Sequence, residues 1–435
     1  MKIAFIFCSI DDVFKRFPSG AFTLYESNPP IGLGALASIA QEMGHEIKVF
    51  DQHVLKYENE ELAKAVIAYR PYVIAFSCTS LNLTNTEKCL IHAKSLNETF
   101  FSVVGGIHPT LCIEEMHEKG LFDAIVAGEG EEVFSHILKQ LVLYGEVGDG
   151  EIEGLWLKNR GSQNGVAVLR AIDHPIISRK ALEIFRYKNK GALLEETPCY
   201  SLFSSRGCPF TCRFCSKPFY HKLYRTRDVA CVIEEIQYLI AEFDAKAVSF
   251  REDNFTAKLE HVSVFCHRMI EEFNGQFPWE CESRASLHRD VLELMYRAGC
   301  RGIWSGIETM VPKWQDWIQK GLTEEEVVAF FSDCKEIGIK TGALFMFGFP
   351  EQTLQEIEQD IQFALSLPAE FRFFQCLAIF PGSPLLPFYT ASRLSVPITP
   401  NVQLALIKGK TLEDMLELER YINARVSSPR NDYKG

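Results

Sequence analysis

Three cysteines, Cys208, Cys212 and Cys215, stand four and three residues apart in the segment FSSRGCPFTCRFCSKPF. Thiolates hold iron–sulfur clusters, and this spacing lets one loop wrap a cubane and reach three of its irons. A fourth cysteine would saturate the cluster and make an electron carrier. Three leave an iron open to a substrate atom, much as an open position distinguishes catalytic from structural zinc. A zinc site would bring two CxxC pairs or added histidines, and His221 is the only nearby candidate. Buried structural cysteines fit poorly, because Gly207, Pro209, Thr211 and Lys217 make the segment a polar loop. The three thiols therefore predict a 4Fe-4S cluster with an iron available for chemistry.

Most of the other cysteines, among them Cys8, Cys78, Cys89, Cys231, Cys266, Cys300 and Cys334, lie in apolar runs and read as small buried hydrophobes. The opening MKIAFIFCSIDD lacks the layout of a secretory signal, so a disulfide framework is not expected. No apolar stretch reaches the roughly 20 residues of a spanning helix. The expected location is the cytoplasm, with no membrane partner. The formal net charge of -12 argues against nucleic acid, which needs a basic face.

The elements that must position the cysteines are strands alternating with helices. In residues 1–145, KIAFIF, EIKVFD, YVIAFSC, FFSVVGG and FDAIVAG read as strands separated by helical patterns such as LGALASIAQEMGH. The fold class is α/β: a doubly wound, Rossmann-like domain around a parallel sheet. Ligands of such sheets bind at the carboxyl ends of the strands. The residues there are Ser77, Thr79, Ser80 and Asn82; Gly105, Gly106 and His108; and Gly128, Glu129, Gly130 and Glu131. Residues 146–190 read as a linker with a small hairpin, EGLWLKNRGSQNGVAVLR, whose QNG supplies the turn.

From 191 to 390 the alternation resumes with YSLFSS, AVSFRE, PWECES, GIWSGIE, ALFMFGF and FQCLAIF, which predicts a partial (β/α)6 barrel. Residues 391–435 read as a tail with one helix. The cysteine loop follows the first barrel strand. Arg251, Glu252, Asp253 and Asn254 end the second, Ser283 and Arg284 the third, and Glu308 the fourth. Gly348, Phe349 and Pro350 end the fifth, and Phe380, Pro381, Gly382 and Pro384 the sixth. A single loop carboxylate is ordinarily just solvated. Repeated at one end of successive strands, such groups make a site, with Arg284 suited to a carboxylate and Glu308 to an amine or ribose hydroxyls.

With its intact CxxxCxxC, the second domain resembles the radical S-adenosylmethionine superfamily. The resemblance implies that Cys208, Cys212 and Cys215 hold the cluster. The methionyl amino and carboxylate groups of S-adenosylmethionine would then chelate the open iron, and Phe214 would lie against its adenine. Electron transfer into the sulfonium would release a 5′-deoxyadenosyl radical. Arg251 to Asn254 resemble the family's DD-containing turn, SGIET its GIE element, and GFPEQT its GxPxET with Gln352 in place of the acid.

The first strand is followed by CSIDDVFKRFPSG, without the GxGxxG turn of a nicotinamide site. Instead PPIGLGALASIA, SCTSLN, VVGGIHPT and VAGEGEEVF resemble the cobalamin-binding domain that precedes the radical domain in class B radical S-adenosylmethionine methyltransferases. That resemblance implies cobalamin contacts from Thr79, Ser80, Asn82, Gly105, Gly106, His108, Gly128, Glu129 and Gly130. Asp51 and His53 form a DxH, but Lys56 stands where a histidine-ligating DxHxxG motif has glycine, so the match reads as coincidence and the lower axial ligand stays open.

The implied activity is methylation of an unactivated carbon in a small metabolite or natural-product intermediate, with a peptide as a second substrate class. The implied partner is an electron donor such as flavodoxin or ferredoxin. A non-methylating rearrangement, cyclisation or oxidation on the same cofactors is the rival reaction, and a non-catalytic cobalamin or redox sensor the rival class.

Overall fold

The computed structural model describes residues 1–10, 28–96, 99–148, 152–158, 165–173, 176–216, 223–399 and 401–426. One compact unit ends at Lys188 and a second runs from Asn189.

The first unit holds strands β1 (Lys2–Phe7), β2 (Glu46–Asp51), β3 (Val73–Ser77), β4 (Phe101–Gly105), β5 (Ala124–Val126) and β6 (Leu155–Leu157). Its helices are α1 (Ile31–Glu42), α2 (Gln52–Leu55), α3 (Asn59–Ala68), α4 (Leu83–Leu96), α5 (Ile107–Leu111), α6 (Ile113–Lys119) and α7 (Gly130–Tyr144). The sheet runs β2-β1-β3-β4-β5-β6, parallel except for β6. Both faces are covered, which is why the inner strands β1 and β3 are buried along nearly their whole length, while the edge strand β2 alternates. Ala4 and Ile6 pack under α3 and α4 with Leu62, Val66 and Leu90, while Ile3 and Phe5 pack under α1 and α7 with Leu33, Ala37 and Ile137. The order reverses between β1 and β3, which places the ligand crevice at their carboxyl ends.

Of residues 146–190, expected as a linker, the described ones up to Lys188 belong to this unit. β6 extends its sheet, Ala167 bridges to Gly128, and Tyr187 donates to the buried Asp51 at 2.6 Å. Gln163 and Asn164 of the expected hairpin turn lie outside the described residues.

In the second unit the strands are β7 (Cys199–Leu202), β8 (Ser205–Arg206), β9 (Arg225–Thr226), β10 (Ala247–Phe250), β11 (Trp279–Ser283), β12 (Cys300–Glu308), β13 (Lys340–Phe347), β14 (Phe371–Cys376), β15 (Ala378–Ile379), β16 (Ser395–Thr399) and β17 (Val402–Ala405). Its helices are α8 (Val229–Phe243), α9 (Leu259–Phe273), α10 (Arg289–Arg297), α11 (Pro312–Ile318), α12 (Glu324–Ile337), α13 (Leu354–Ser366), α14 (Leu386–Ser392) and α15 (Leu412–Val426). β14-β13-β12-β11-β10-β7 form a six-stranded parallel sheet, the expected partial barrel. Its helix-facing side is closed by aromatic packing, with Phe250, Phe255, Phe265 and Trp279 in mutual ring contact.

On the opposite side, the buried Glu280 accepts from the backbone N–H of Ala192 and Leu193 at 2.8 and 2.7 Å and from Ser249 at 2.7 Å. The chain entering the unit is thereby pinned inside the sheet. Gly302 makes room for it, since a Cβ there would stand 2.8 Å from that of Leu193.

The tail holds more structure than one helix. β16 and β17 form a three-stranded antiparallel sheet with β15. α15 lies along the free edge of β14, where Asn423 accepts from Phe374 N–H at 2.9 Å and donates to its carbonyl at 2.8 Å.

Candidate functional site

Cys208, Cys212 and Cys215 lie in the loop between β8 and β9, all reduced and half-buried. The short ladder pairing Ser205 with Thr226 and Arg206 with Arg225 closes the base of this loop. Lys217 and His221 lie outside the described residues. Among the described residues no three cysteine, histidine or acidic side chains converge as a single metal ion would need. A cubane asks for something else, one thiolate for each of three irons, and the soft, half-exposed donor set on one loop suits it.

The carboxyl end of α11 and the turn after β15 dock this loop. Arg213 donates its backbone N–H to Ile318 O at 2.9 Å and its guanidinium to Trp317 O at 3.1 Å. Ser383, in the PGSP turn, donates to Phe214 O at 3.1 Å. Phe214 itself packs against the hydrophobic cluster that contains Trp314, Ile318, Phe349 and Tyr389.

Glu252 is fully buried beneath the loop's base. Its Oε1 accepts from Ser204 N–H and Oγ, both at 2.8 Å, and its Oε2 pairs with Ser205 Oγ. Burial pushes its pKa up to about 8, against the lowering pull of the Ser204 bonds. Glu252 thus positions the loop, while Asp253 beside it is half-buried. Ser283 is engaged by Thr256 at 2.6 Å.

Arg284 lies 4.1 Å from the ring centre of Phe210, inside the cysteine loop, and donates to Lys320 O. Glu308 sits at a bulge in β12 with a left-handed φ of 72°. Such re-aimed backbone is typical of functional positions. Its carboxylate meets Lys320 Nζ at 2.6 Å, and that ammonium stands 5.7 Å over the Phe214 ring. Gly306 lies directly beneath the pair, where a Cβ would stand 2.8 Å from Lys320 Nζ. Lys320 carries no periodic signature in sequence; only the fold brings it back to Glu308.

Gln352, which stands in place of an acid, accepts from Gly348 and Phe349 N–H at 2.8 and 3.2 Å. Asp360 fixes the turn after Glu308, accepting from Thr309 Oγ1 and Met310 N–H, both at 2.7 Å. Burial pushes its pKa up to about 7.

At the β3 and β4 ends of the first unit, Thr79, Ser80, Asn82, Gly105, Gly106 and His108 come together. Asn82 accepts from Thr79 N–H at 2.8 Å and donates to Cys8 O at 3.1 Å. Gly106, at φ 110°, lets the β4 turn approach Cys78, whose carbonyl would lie 2.6 Å from a Cβ. His108 is fully buried with Nδ1 2.8 Å from Ser80 Oγ, and burial lowers its pKa to about 4.

Gly128 and Glu129 instead meet the segment after β6. A Cβ on Gly128 would collide with Ala167, and Glu129 accepts from Leu169 N–H at 2.6 Å. Gly130 begins α7. Asp51 and His53 form a helix cap, Asp51 accepting from His53 N–H at 2.8 Å.

Comparison with known proteins accounts for both units. The B12 binding domain family matches residues 21–138 and the radical SAM superfamily residues 202–364. The chain is 28% identical over 434 residues to an uncharacterised methyltransferase of Pyrococcus horikoshii, covering 98% of this chain and 90% of that protein. It is 25% identical to the anaerobic magnesium-protoporphyrin IX monomethyl ester cyclase of Rubrivivax gelatinosus, over 81% of this chain and 64% of the cyclase. In fold it is similar to the radical S-adenosylmethionine methyltransferase TsrM of Kitasatospora setae, solved with cobalamin and a [4Fe-4S] cluster: TM-score 0.70, 17% identity, 92% of this chain and 76% of that one. The chain thus joins a B12 binding domain to a radical S-adenosylmethionine domain, in that order.

Proposed function

We propose that the protein is a radical C-methyltransferase acting on an unactivated carbon of a small metabolite or natural-product intermediate. The carrying observation is the loop of three half-buried thiols, closed at its base and docked on the carboxyl end of α11 and the turn after β15 of a partial barrel. Bound there, a 4Fe-4S cluster with S-adenosylmethionine supplies a carbon-centred radical, and cobalamin supplies the methyl group.

The chain's own residues position and exclude. Cys208, Cys212 and Cys215 hold the cluster; Glu252, Arg284 and Ser383 fix the loop; Glu308 and Lys320 offer paired charges to the methionyl end of S-adenosylmethionine. Thr79, Ser80, Asn82, Gly105, Gly106 and His108 make the cobalamin end. No helix among the described residues is long and apolar enough to cross a membrane. A reduced flavodoxin or ferredoxin in the cytoplasm serves as electron donor. Relatives named as methyltransferases support methyl transfer, while relatives named as cyclases keep ring closure as the second reading.

Anaerobic reconstitution followed by iron, sulfide and cobalamin analysis tests the cofactors. Replacing Cys208, Cys212 and Cys215 by Ala should abolish the cluster and deoxyadenosine formation while leaving cobalamin bound. Methyl-labelled S-adenosylmethionine tests the reaction: label retained in product supports methylation, and deoxyadenosine with unlabelled product turns the assignment to cyclisation or oxidation.

A further inference from the structure

The side of the barrel sheet away from the helices is divided by chemistry. On the helix side, Phe345 and Phe374 stack at 4.7 Å and are sealed. On the other side, Trp304, Leu344, Phe371 and Phe373 are half-buried. Trp304 pairs in register with Gly342, and Gly342 with Phe371. Because Gly342 is bare, the indole lies across β13, where any Cβ would collide with it. It reaches Phe371 with ring centres 6.0 Å apart and planes only 22° from parallel. One glycine thus lets near-parallel rings from β12 and β14 form an aromatic wall across three strands, which Leu344 and Phe373 continue toward the strand ends.

Charge on this side is bound up beside the wall. Glu280 is bonded to Ala192, Leu193 and Ser249, Lys340 pairs with Glu195 at the amino end of β13, and the Glu308–Lys320 pair at the top of β12 is self-neutralised. The indole Nε1–H has no hydrogen-bond partner among the described residues. A wall whose own side chains carry no charge and whose rings are near-parallel offers more to a planar body than to a bulky saturated one. A flat π-system gains stacking with each ring beyond its buried area.

We propose that the wall of Trp304, Gly342 and Phe371 receives a planar, unsaturated part of the substrate, lying flat on the indole, with Leu344 and Phe373 flanking it. This assignment of substrate class rests on the radical-enzyme reading above. Stacking fixes the ring plane and leaves the rim carbons, where a methyl group would be added, directed away from the wall.

Binding of indole-3-acetate and of cyclohexaneacetate, matched in charge, is measured by equilibrium dialysis on the reconstituted protein with S-adenosylmethionine present. The planar probe should bind roughly tenfold more tightly, the size expected of one or two ring contacts. Trp304→Leu and Gly342→Val should each erase that preference without changing the affinity for S-adenosylmethionine, and Trp304→Phe should retain most of it. The proposal is overturned if neither probe binds, if the intact protein shows no preference, or if the preference survives both disruptive variants. It is also overturned if S-adenosylmethionine affinity falls with the preference, since the wall would then hold adenine. Deoxyadenosine formation, assayed separately, reports on the radical reading, so the two can fail independently.

Discussion

Lys320 and Glu308 face each other at 2.6 Å with side-chain exposures of 10% and 12%, so water screens their charges little. A charge pair that shielded is weak evidence for stability, because desolvation offsets much of its attraction, but losing one partner strands the other. Its geometry suits another use. A cation and a carboxylate side by side complement an amino acid's own carboxylate and amine. The Lys320 ammonium also stands over Phe214, next to Cys215 in the cysteine loop. Replacing Lys320 by Met should therefore weaken S-adenosylmethionine binding at least about tenfold, on the scale of one charge-assisted hydrogen bond. Iron and sulfide content should stay the same, and Lys320→Arg should recover much of the loss. Equilibrium binding and the change S-adenosylmethionine makes in the spectrum of the reduced cluster are the readouts. Loss of cluster with loss of binding would assign Lys320 to loop architecture alone.

At the scale of elements, the open barrel must protect the outer edge of β14, because an unpaired strand edge invites pairing with other chains. α15 does this with side chains instead of another strand. Asn423 satisfies both backbone groups of Phe374, and the buried Glu419 accepts from Cys376 N–H at 3.0 Å. Asn423→Leu would leave a buried N–H and C=O without partners, at a cost of about 1–3 kcal/mol. The melting temperature should fall and concentration-dependent association should rise, both measurable by scanning calorimetry and light scattering; an unchanged melting temperature would show the edge to be guarded by Glu419 alone. The period of α15 was legible in the sequence, but not its task, because a side chain bonded to a strand edge leaves no hydrophobic repeat.

The same distinction runs through the chain. Alternating apolar runs gave both parallel sheets, and the cysteine spacing gave the loop, because each signal is local. β16 was missed because Ser395–Thr399 is short and carries Pro397. Lys320 and Gly342 were missed because their meaning depends on what lies across the sheet. Arg284 stands at its expected strand end, but its stacking on Phe210 depends on a residue 74 positions away and leaves no local signal.

For the whole molecule, buried ionisable groups set how stability responds to pH, and the two units respond differently. In the second unit burial raises Glu252 from 4.5 to about 8 and Asp360 from 3.8 to about 7. Both bind protons more tightly folded than unfolded. Their contribution is complete below their unfolded values and is lost as pH rises through 7 and 8, at up to about 1.4 kcal/mol per pH unit for each. In the first unit Asp51, raised by burial to about 6, has the same sign but is exhausted above that pH. His108, lowered from 6.5 to about 4, has the opposite sign: its contribution is complete above 6.5 and is lost as pH falls through 4. From pH 6.5 to 8, therefore, only the second unit should weaken. Calorimetry of the reconstituted protein across that range should show one transition moving down and another holding still. Glu252→Gln keeps an oxygen for the Ser204 N–H but removes the titration. It should raise the moving transition at pH 8 and leave it little changed at pH 5. Equal effects of this variant at both values would mean that Glu252 stays ionised in the folded protein and that its serine bonds outweigh its burial.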